Sequence, residues 1–283
     1  MRVVCISDTH SRHLGLYNPP KGDLIIHAGD VSNIGRKGEI TDFLNWFSKL
    51  PYKYRIFIAG NHDFFFDHKW KAYTEMGEAR FKGNYAGLYT KEEVDSMVNT
   101  FKDDVTYLND SGIEIEGFKI WGSPITPWFH DWAFNRERGK DIKKHWKLIP
   151  EDTDILITHG PVHKILDRTR EGDEPGCEDL LEKILKTSIK VSICGHIHES
   201  GGHTYSTGDG RIFINVSLLN RDYNVANKPV VFDITKDDKG ETKVELVFLT
   251  YNDDGSSSNK EAPEPPPGVF FKNKPSKKNE EEK

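Results

Sequence analysis

Cysteine is scarce in this chain: 3 residues of 283, against 12 histidines. Cys5, Cys177 and Cys194 are too few and too widely spaced for a disulfide framework, so a reducing compartment, the cytoplasm, is expected. Long apolar runs are also missing, and none approaches the roughly 18 residues needed to cross a bilayer. The opening MRVVCISDTH has no charged leader, apolar stretch and cleavage site, so no secretory signal is expected. Nor is there an excess of basic charge: 39 Lys and Arg face 45 Asp and Glu, a formal net charge of -6. That speaks against holding long nucleic acid on a basic surface. With 36% hydrophobic and 30% charged residues, the chain is long enough to bury a large core as one large domain or two small ones. Any chemistry is expected to be histidine chemistry.

Short β-rich runs alternate with helical stretches. Strands are expected at Arg2–Ser7, Asp23–Ala28, Arg55–Ala59, Phe118–Gly122, Asp154–Thr158 and Lys190–Cys194, then at Arg211–Val216, Pro229–Ile234 and Lys243–Thr250. Leu24–Ile26, Ile56–Ile58 and Ile155–Ile157 are nearly continuous apolar runs, as in strands buried on both faces. Spacings near 3.6 predict four helices. Their stripes are Ile40, Phe43, Leu44 and Phe47; Ile142, Trp146 and Ile149; Val94, Met97, Val98 and Phe101; and Leu181, Ile184 and Leu185. The pattern predicts an α/β fold over residues 1–251 with a β-rich last third. From Asn252 to Lys283 a DDGSSS stretch, APEPPPG and KKNEEEK carry only Val269, Phe270 and Phe271 as large apolar residues. That composition predicts a disordered tail.

Five polar motifs follow predicted strands in order: Asp8-Thr-His10, Gly29-Asp30, Gly60-Asn61-His62-Asp63, Thr158-His159-Gly160-Pro161 and Gly195-His196-Ile197-His198. Ligands of open α/β sheets bind at the carboxyl ends of strands, so these clusters are expected to converge. Asp8, Asp30, Asn61, His10, His159, His196 and His198 offer oxygen and nitrogen donors without thiolate. Such a set suits Mn, Fe, Co, Ni or Zn and disfavours a closed structural zinc site. Seven donors are too many for one ion. Two metals sharing a carboxylate, about 3.5–4 Å apart, would clamp the attacking and leaving oxygens of a phosphoryl displacement. Each motif alone is a common turn signal; the ordered set of five is not.

At these residues the chain resembles the calcineurin-like metallophosphoesterases, and within them the metallophosphoesterase-domain (MPPED) branch. SDTHSR (Ser7–Arg12), HAGD (His27–Asp30), LPYKYRIFIAGNHDFFFD (Leu50–Asp67), GSPITPWFHDWAFN (Gly122–Asn135), IPEDTDILITHGP (Ile149–Pro161), GCEDLL (Gly176–Leu181) and GHIHE (Gly195–Glu199) carry the likeness. It spans residues 1 to about 235, is weak between Phe65 and Tyr89, and excludes the tail. The resemblance implies a four-layer α-β-β-α sandwich with two mixed β-sheets. It also implies Asp8, His10 and His198 on the first metal, Asn61, His159 and His196 on the second, and Asp30 bridging them. Pro161-Val162 departs from the two prolines common in the branch and touches no proposed ligand.

The implied activity is a phosphoesterase using two divalent ions, Mn first and then Fe, Zn, Co or Ni. A hydroxide bridging the two metals would attack phosphorus in line. His62, beside Asn61, is assigned to the leaving group, and Asp63 to fixing the His62 tautomer. Small phosphodiesters, cyclic nucleotides among them, are the expected substrates. A phosphomonoesterase or nuclease on the same site, or a scaffold without catalysis, are the competing readings. No membrane partner is expected.

His13 and Arg12, close behind the first motif, are candidates for substrate contact. His27 is expected as a supporting or core histidine. His68, His130, His145, His163 and His203 have no motif support. Phe64–Phe66 with Trp70 and Tyr73, and Trp121, Trp128, Phe129, Trp132 and Phe134, are expected mainly to pack, with one group bordering the cleft. The three cysteines carry no sign of a nucleophile.

Overall fold

In the computed structural model, residues 1–16, 18–68, 89–251 and 257–260 are described. β1 (Arg2–Ile6), β2 (Leu24–Ala28) and β3 (Tyr54–Ile58) pair in parallel, and the short β4 (Thr106–Tyr107) adds to β3. The second sheet is built on β5 (Ser111–Ile115), β6 (Phe118–Ser123), β9 (Ile155–Thr158), β10 (Val191–Cys194), β11 (Thr204–Ser206) and β12 (Ile212–Asn215), in the order β11-β12-β10-β9-β6-β5. Of these, β6, β9, β10 and β12 run parallel to one another, while β5 and β11 pair antiparallel at the two edges. β13 (Val230–Lys236), β14 (Thr242–Tyr251) and β15 (Ser257–Lys260) return antiparallel to complete the first sheet, in the order β15-β14-β13-β1-β2-β3-β4. A ribbon of β7 (Thr126–Pro127) and β8 (Asn135–Arg136) stands apart.

Strand alternation makes the layers. Val3, Cys5, Leu24, Ile26, Ile56 and Ile58 meet Ile155, Ile157, Val191, Ile193, Ile212 and Ile214 in one buried cluster between the sheets. Their neighbours Val4, Ile6, Ile25 and Phe57 point the other way, into a cluster with the helices. Burial on both faces is why these strands are continuously apolar. α1 (Lys37–Phe47) buries Ile40, Phe43, Leu44 and Phe47, and the Glu39 carboxylate accepts the Arg36 N–H at 2.9 Å at its start. In α2 (Lys91–Thr100), Thr90 and Glu93 exchange side-chain-to-backbone bonds in a capping box. α3 (Lys143–Trp146) and α4 (Glu178–Ile184) cover the second sheet through Trp146, Leu180 and Ile184 with Leu156. Among the described residues no helix is long and apolar enough to cross a membrane.

All nine expected strands and all four expected helices are present. The short strands β4, β7, β8 and β11 were not expected, and three further details differ. α4 ends at Ile184, so Leu180 and Ile184 are buried and Leu185 is 55% exposed, not part of the stripe. β5 went unpredicted because Ser111–Ile115 alternates weakly. A two-residue turn at Glu116 and Gly117, φ 50° and 80°, folds it back on β6. Ser257–Lys260, within the expected disordered tail, pairs with β14 from Phe248 to Tyr251. An open sheet edge supplies backbone partners to a segment that has no apolar surface to bury. The rest of that tail, with Val269, Phe270 and Phe271, lies outside the described residues, as do Trp70 and Tyr73.

Candidate metal centre

The loops after β1, β2, β3, β9 and β10 come together where the two sheets meet. The junction is sewn by backbone bonds from Ser7 N to Val216 O at 2.9 Å and from Leu218 N to Ser7 O at 3.0 Å. Asp8 N donates to Gly29 O and His10 N to Asp30 O, at 2.9 and 3.0 Å, locking the first two loops. Asp8, His10, Asp30 and His196 all take left-handed backbone angles, φ 51°, 40°, 55° and 67°. Non-glycine residues adopt these at a cost, and the surrounding bonds hold them there. Two glycines have a steric reason. A Cβ on Gly60 would lie 2.2 Å from Asp30 Oδ1, and one on Gly195 would lie 2.1 Å from Asp8 Oδ2.

Three groups of side chains bring their ligand atoms within 4.8 Å of one another: Asp8, His10 and His198; Asp30, His159 and His196; and His10, Asp30 and His62. Asp30 joins the halves through a single oxygen. Its Oδ2 lies 3.6 Å from His10 Nε2 and 3.2 Å from His159 Nε2, while Oδ1 accepts the His62 N–H at 2.8 Å. Asn61 Oδ1 lies 3.0 Å from His159 Nε2, and His198 Nε2 lies 3.4 Å from Asp8 Oδ1. The Nδ1–H of His159 donates to Ala28 O at 2.9 Å and that of His198 to Asn220 O at 3.0 Å, so in each ring it is Nε2 that faces inward. All seven expected ligands are therefore in one place.

These residues fit divalent ions. Asp8 and Asp30 are buried carboxylates, and among the described residues neither ring nitrogen of His10 has a hydrogen-bond partner although both are buried. An unpartnered buried polar atom costs about 1–3 kcal/mol, which a bound cation would offset. The electrostatics agree. Burial opposes charge on Asp8 and Asp30, yet His198 and His159 hold both carboxyls below the usual range. Burial lowers His10 to about 3, and burial with neighbouring His159 lowers His196 to about 4, keeping both neutral. On His159 burial works downward but Asp30 prevails and lifts it to about 9, so a cation held there would have to displace its Nε2 proton.

The other expected roles divide. His62 lines the cleft with its ring 4.6 Å from that of His10, and its Nδ1 donates to Asn33 O at 2.6 Å. Asp63 does not set the His62 tautomer, which corrects that expectation. Wholly buried, it accepts the N–H groups of Val31, Ser32 and Gly60 and the Ser32 hydroxyl, pinning two ligand loops together. His13 is likewise corrected: it is buried against Phe43 and Trp46, 3.4 Å from Asp42, in the helix layer and away from the cleft lining. Arg12 does not line the cleft either; its guanidinium stands 6.0 Å over the Tyr223 ring. His27 bonds Thr9 and packs on Phe43 and Phe47, as expected of a supporting histidine.

The cleft holds about 420 Å³ and is walled by Phe129, His130, Trp132, Glu199, Arg221 and Tyr223. Phe129 and Trp132 are thus the aromatics that border it, while Phe64, Phe65 and Phe66 pack in the core. Arg221, Tyr223 and Glu199 escaped sequence reasoning. The signal for two of them was faint, an isolated aromatic and arginine in the turn-forming Asn220–Asn224.

The calcineurin-like phosphoesterase family model matches residues 1–200. The human and mouse proteins called metallophosphoesterase domain-containing protein 1 are each 37% identical over 235 residues, covering 82% of this chain and 71% of theirs. One solved structure superimposes with a TM-score of 0.53 at 14% identity, over 87% of this chain and 98% of that one, a likeness of fold. With its two-sheet sandwich, strand-end histidines and shared Asp30, the chain belongs to the calcineurin-like phosphoesterase family.

Proposed function

We propose that the protein is a two-metal phosphodiesterase acting on small phosphodiesters, cyclic nucleotides among them, in the cytoplasm. The observation that carries this reading is Asp30 Oδ2, which faces His10 on one side and His159 on the other as a bridging carboxylate would. Two divalent ions, Mn first among Mn, Fe, Zn, Co and Ni, would supply a Lewis acid for phosphoryl oxygens and water ionised near neutral pH. Asp8, His10 and His198 would hold one ion, Asn61, His159 and His196 the other, with Asp30 on both.

The protein's own contribution is orientation and proton control. Asn33 O ties the Nδ1–H of His62, so in the imidazolium form Nε2 would carry the second proton and pass it to the leaving-group oxygen, worth roughly 10²–10⁴-fold in rate. The cleft suits a small diester better than a nucleic-acid strand. Among the described residues Arg221 is the one permanent cation in its lining, and Glu171 already engages it at 2.5 Å. The three buried, unpaired cysteines support a reducing location.

The test is metal analysis of the purified protein, with Mn²⁺-supported hydrolysis of bis(p-nitrophenyl) phosphate against p-nitrophenyl phosphate. Two metal equivalents and faster diester cleavage are expected. Faster monoester cleavage, or no bound metal, would overturn the reading.

A further inference from the structure

Two exposed aromatic rings line the cleft, one beside each half of the centre. On one side Tyr223, 37% exposed, has its ring 5.0 Å from that of His10 and 5.2 Å from that of His198. On the other, Phe129, 50% exposed, has its ring 6.3 Å from that of His196. Large apolar side chains left this open at the mouth of a polar cleft are poised for a ligand rather than for packing.

Both rings are held by built loops. Tyr223 sits at φ 58°, a left-handed angle costly for an aromatic residue. Asn220 imposes it: its Oδ1 accepts the N–H groups of Asp222 and Asn224, both at 3.0 Å, and its carbonyl accepts that of Tyr223 at 2.9 Å. The same Asn220 carbonyl accepts Nδ1 of His198, so one residue registers both the ligand and the ring. Phe129 stands in the loop between β7 and β8, where its N–H donates to Asn135 Oδ1 at 2.8 Å. That loop is joined to the ligand loop by Ala133 N to Asn61 O at 3.2 Å.

We infer that Tyr223 and Phe129 are two specificity-determining platforms, one for each ester arm, and that the preferred substrate is an acyclic phosphodiester with a planar group on both sides of phosphorus. This rests on the phosphodiesterase reading and sharpens it. A cyclic nucleotide has one planar base and uses one platform. A diester with two flat arms uses both.

The experiment compares bis(p-nitrophenyl) phosphate, with two arms, and methyl p-nitrophenyl phosphate, with one arm and the same leaving group. Tyr223→Leu and Phe129→Leu are each expected to raise KM for the two-armed diester by roughly 5- to 100-fold, the range for loss of one stacked ring. The one-armed diester is expected to respond to only one of the two changes, since its leaving arm must lie on one side. Tyr223→Phe should restore the wild-type KM, and both variants should keep their metal. Calorimetric Kd values for diphenyl and methyl phenyl phosphate should follow the same pattern without turnover. Unmoved KM and Kd values, or both diesters responding alike to both variants, would overturn the inference while wild-type turnover leaves the phosphodiesterase reading standing. A wild-type protein that cleaves neither diester overturns the phosphodiesterase reading and this inference with it.

Discussion

The Trp132 ring lies 4.2 Å from that of His62, tilted by 31°. With Nδ1 tied to Asn33 O, this contact confines the imidazole from a second direction. Trp132→Leu removes the wall and leaves the metal ligands alone. Turnover of a diester is expected to fall roughly 10-fold or more through misplacement of the proton donor, with metal content unchanged. Rates and metal stoichiometry measured on one preparation decide it; an unchanged rate removes Trp132 from the positioning of His62.

Metal content also separates the roles of Asp30 and His62. Asp30→Ala takes away the oxygen shared by both halves and is expected to lose both equivalents together with activity. His62→Ala is expected to keep both and lose roughly 10²–10⁴ in rate. His62 also lies within ligand reach of His10 and Asp30, so loss of one equivalent in His62→Ala would make it a ligand instead.

Asp63 is predicted to matter through architecture. Asp63→Ala strands three backbone N–H groups and a hydroxyl in a buried site, at a cost of about 3 kcal/mol or more. The melting temperature is expected to drop by roughly 6–12 °C, with metal affinity falling as the loops of Val31 and Gly60 separate. A variant that melts like the wild type would remove the pinning role.

His27 sets a pH dependence. Burial lowers its pKa to about 3, below the ordinary value of about 6.5. The unfolded chain therefore binds more protons than the folded one between those limits, so stability rises with pH there. It is lost as pH falls below about 6.5, by up to about 1.4 kcal/mol per unit. His10 and His196 act in the same direction, so the comparison is with His27→Leu in EDTA. Urea midpoints from pH 7 to 4 should fall less steeply in the variant, and parallel curves would show that His27 binds protons alike in the folded and unfolded chains.

Much of this protein was legible locally. The strands could be read because residues buried on both faces must be apolar throughout, as Leu24–Ala28 is. The candidate metal ligands could be read because each lies close behind such a strand. Parallel strands carry their carboxyl ends to one edge, so Asp8, Asp30, Asn61, His159 and His196 had to approach one another. His13 and Asp63 show where that reasoning stops. Both neighbour a motif, yet one side chain turns into the helix layer and the other into the backbone of two loops, because one-dimensional adjacency does not set side-chain direction.

By itself the sequence determined the family, through the likeness of its ordered motifs, and an α/β fold with seven candidate donors, through residue type and periodicity within single elements. Only the tertiary structure decided what walls the cleft. Phe129 and Trp132 arrive on a loop joined to Asn61, and Tyr223 and Arg221 arrive on a turn anchored beside His198. Loops of this kind have no periodicity to betray which face they present. Their positions follow from hydrogen bonds to segments far away in the chain, and those exist only once the two sheets have closed.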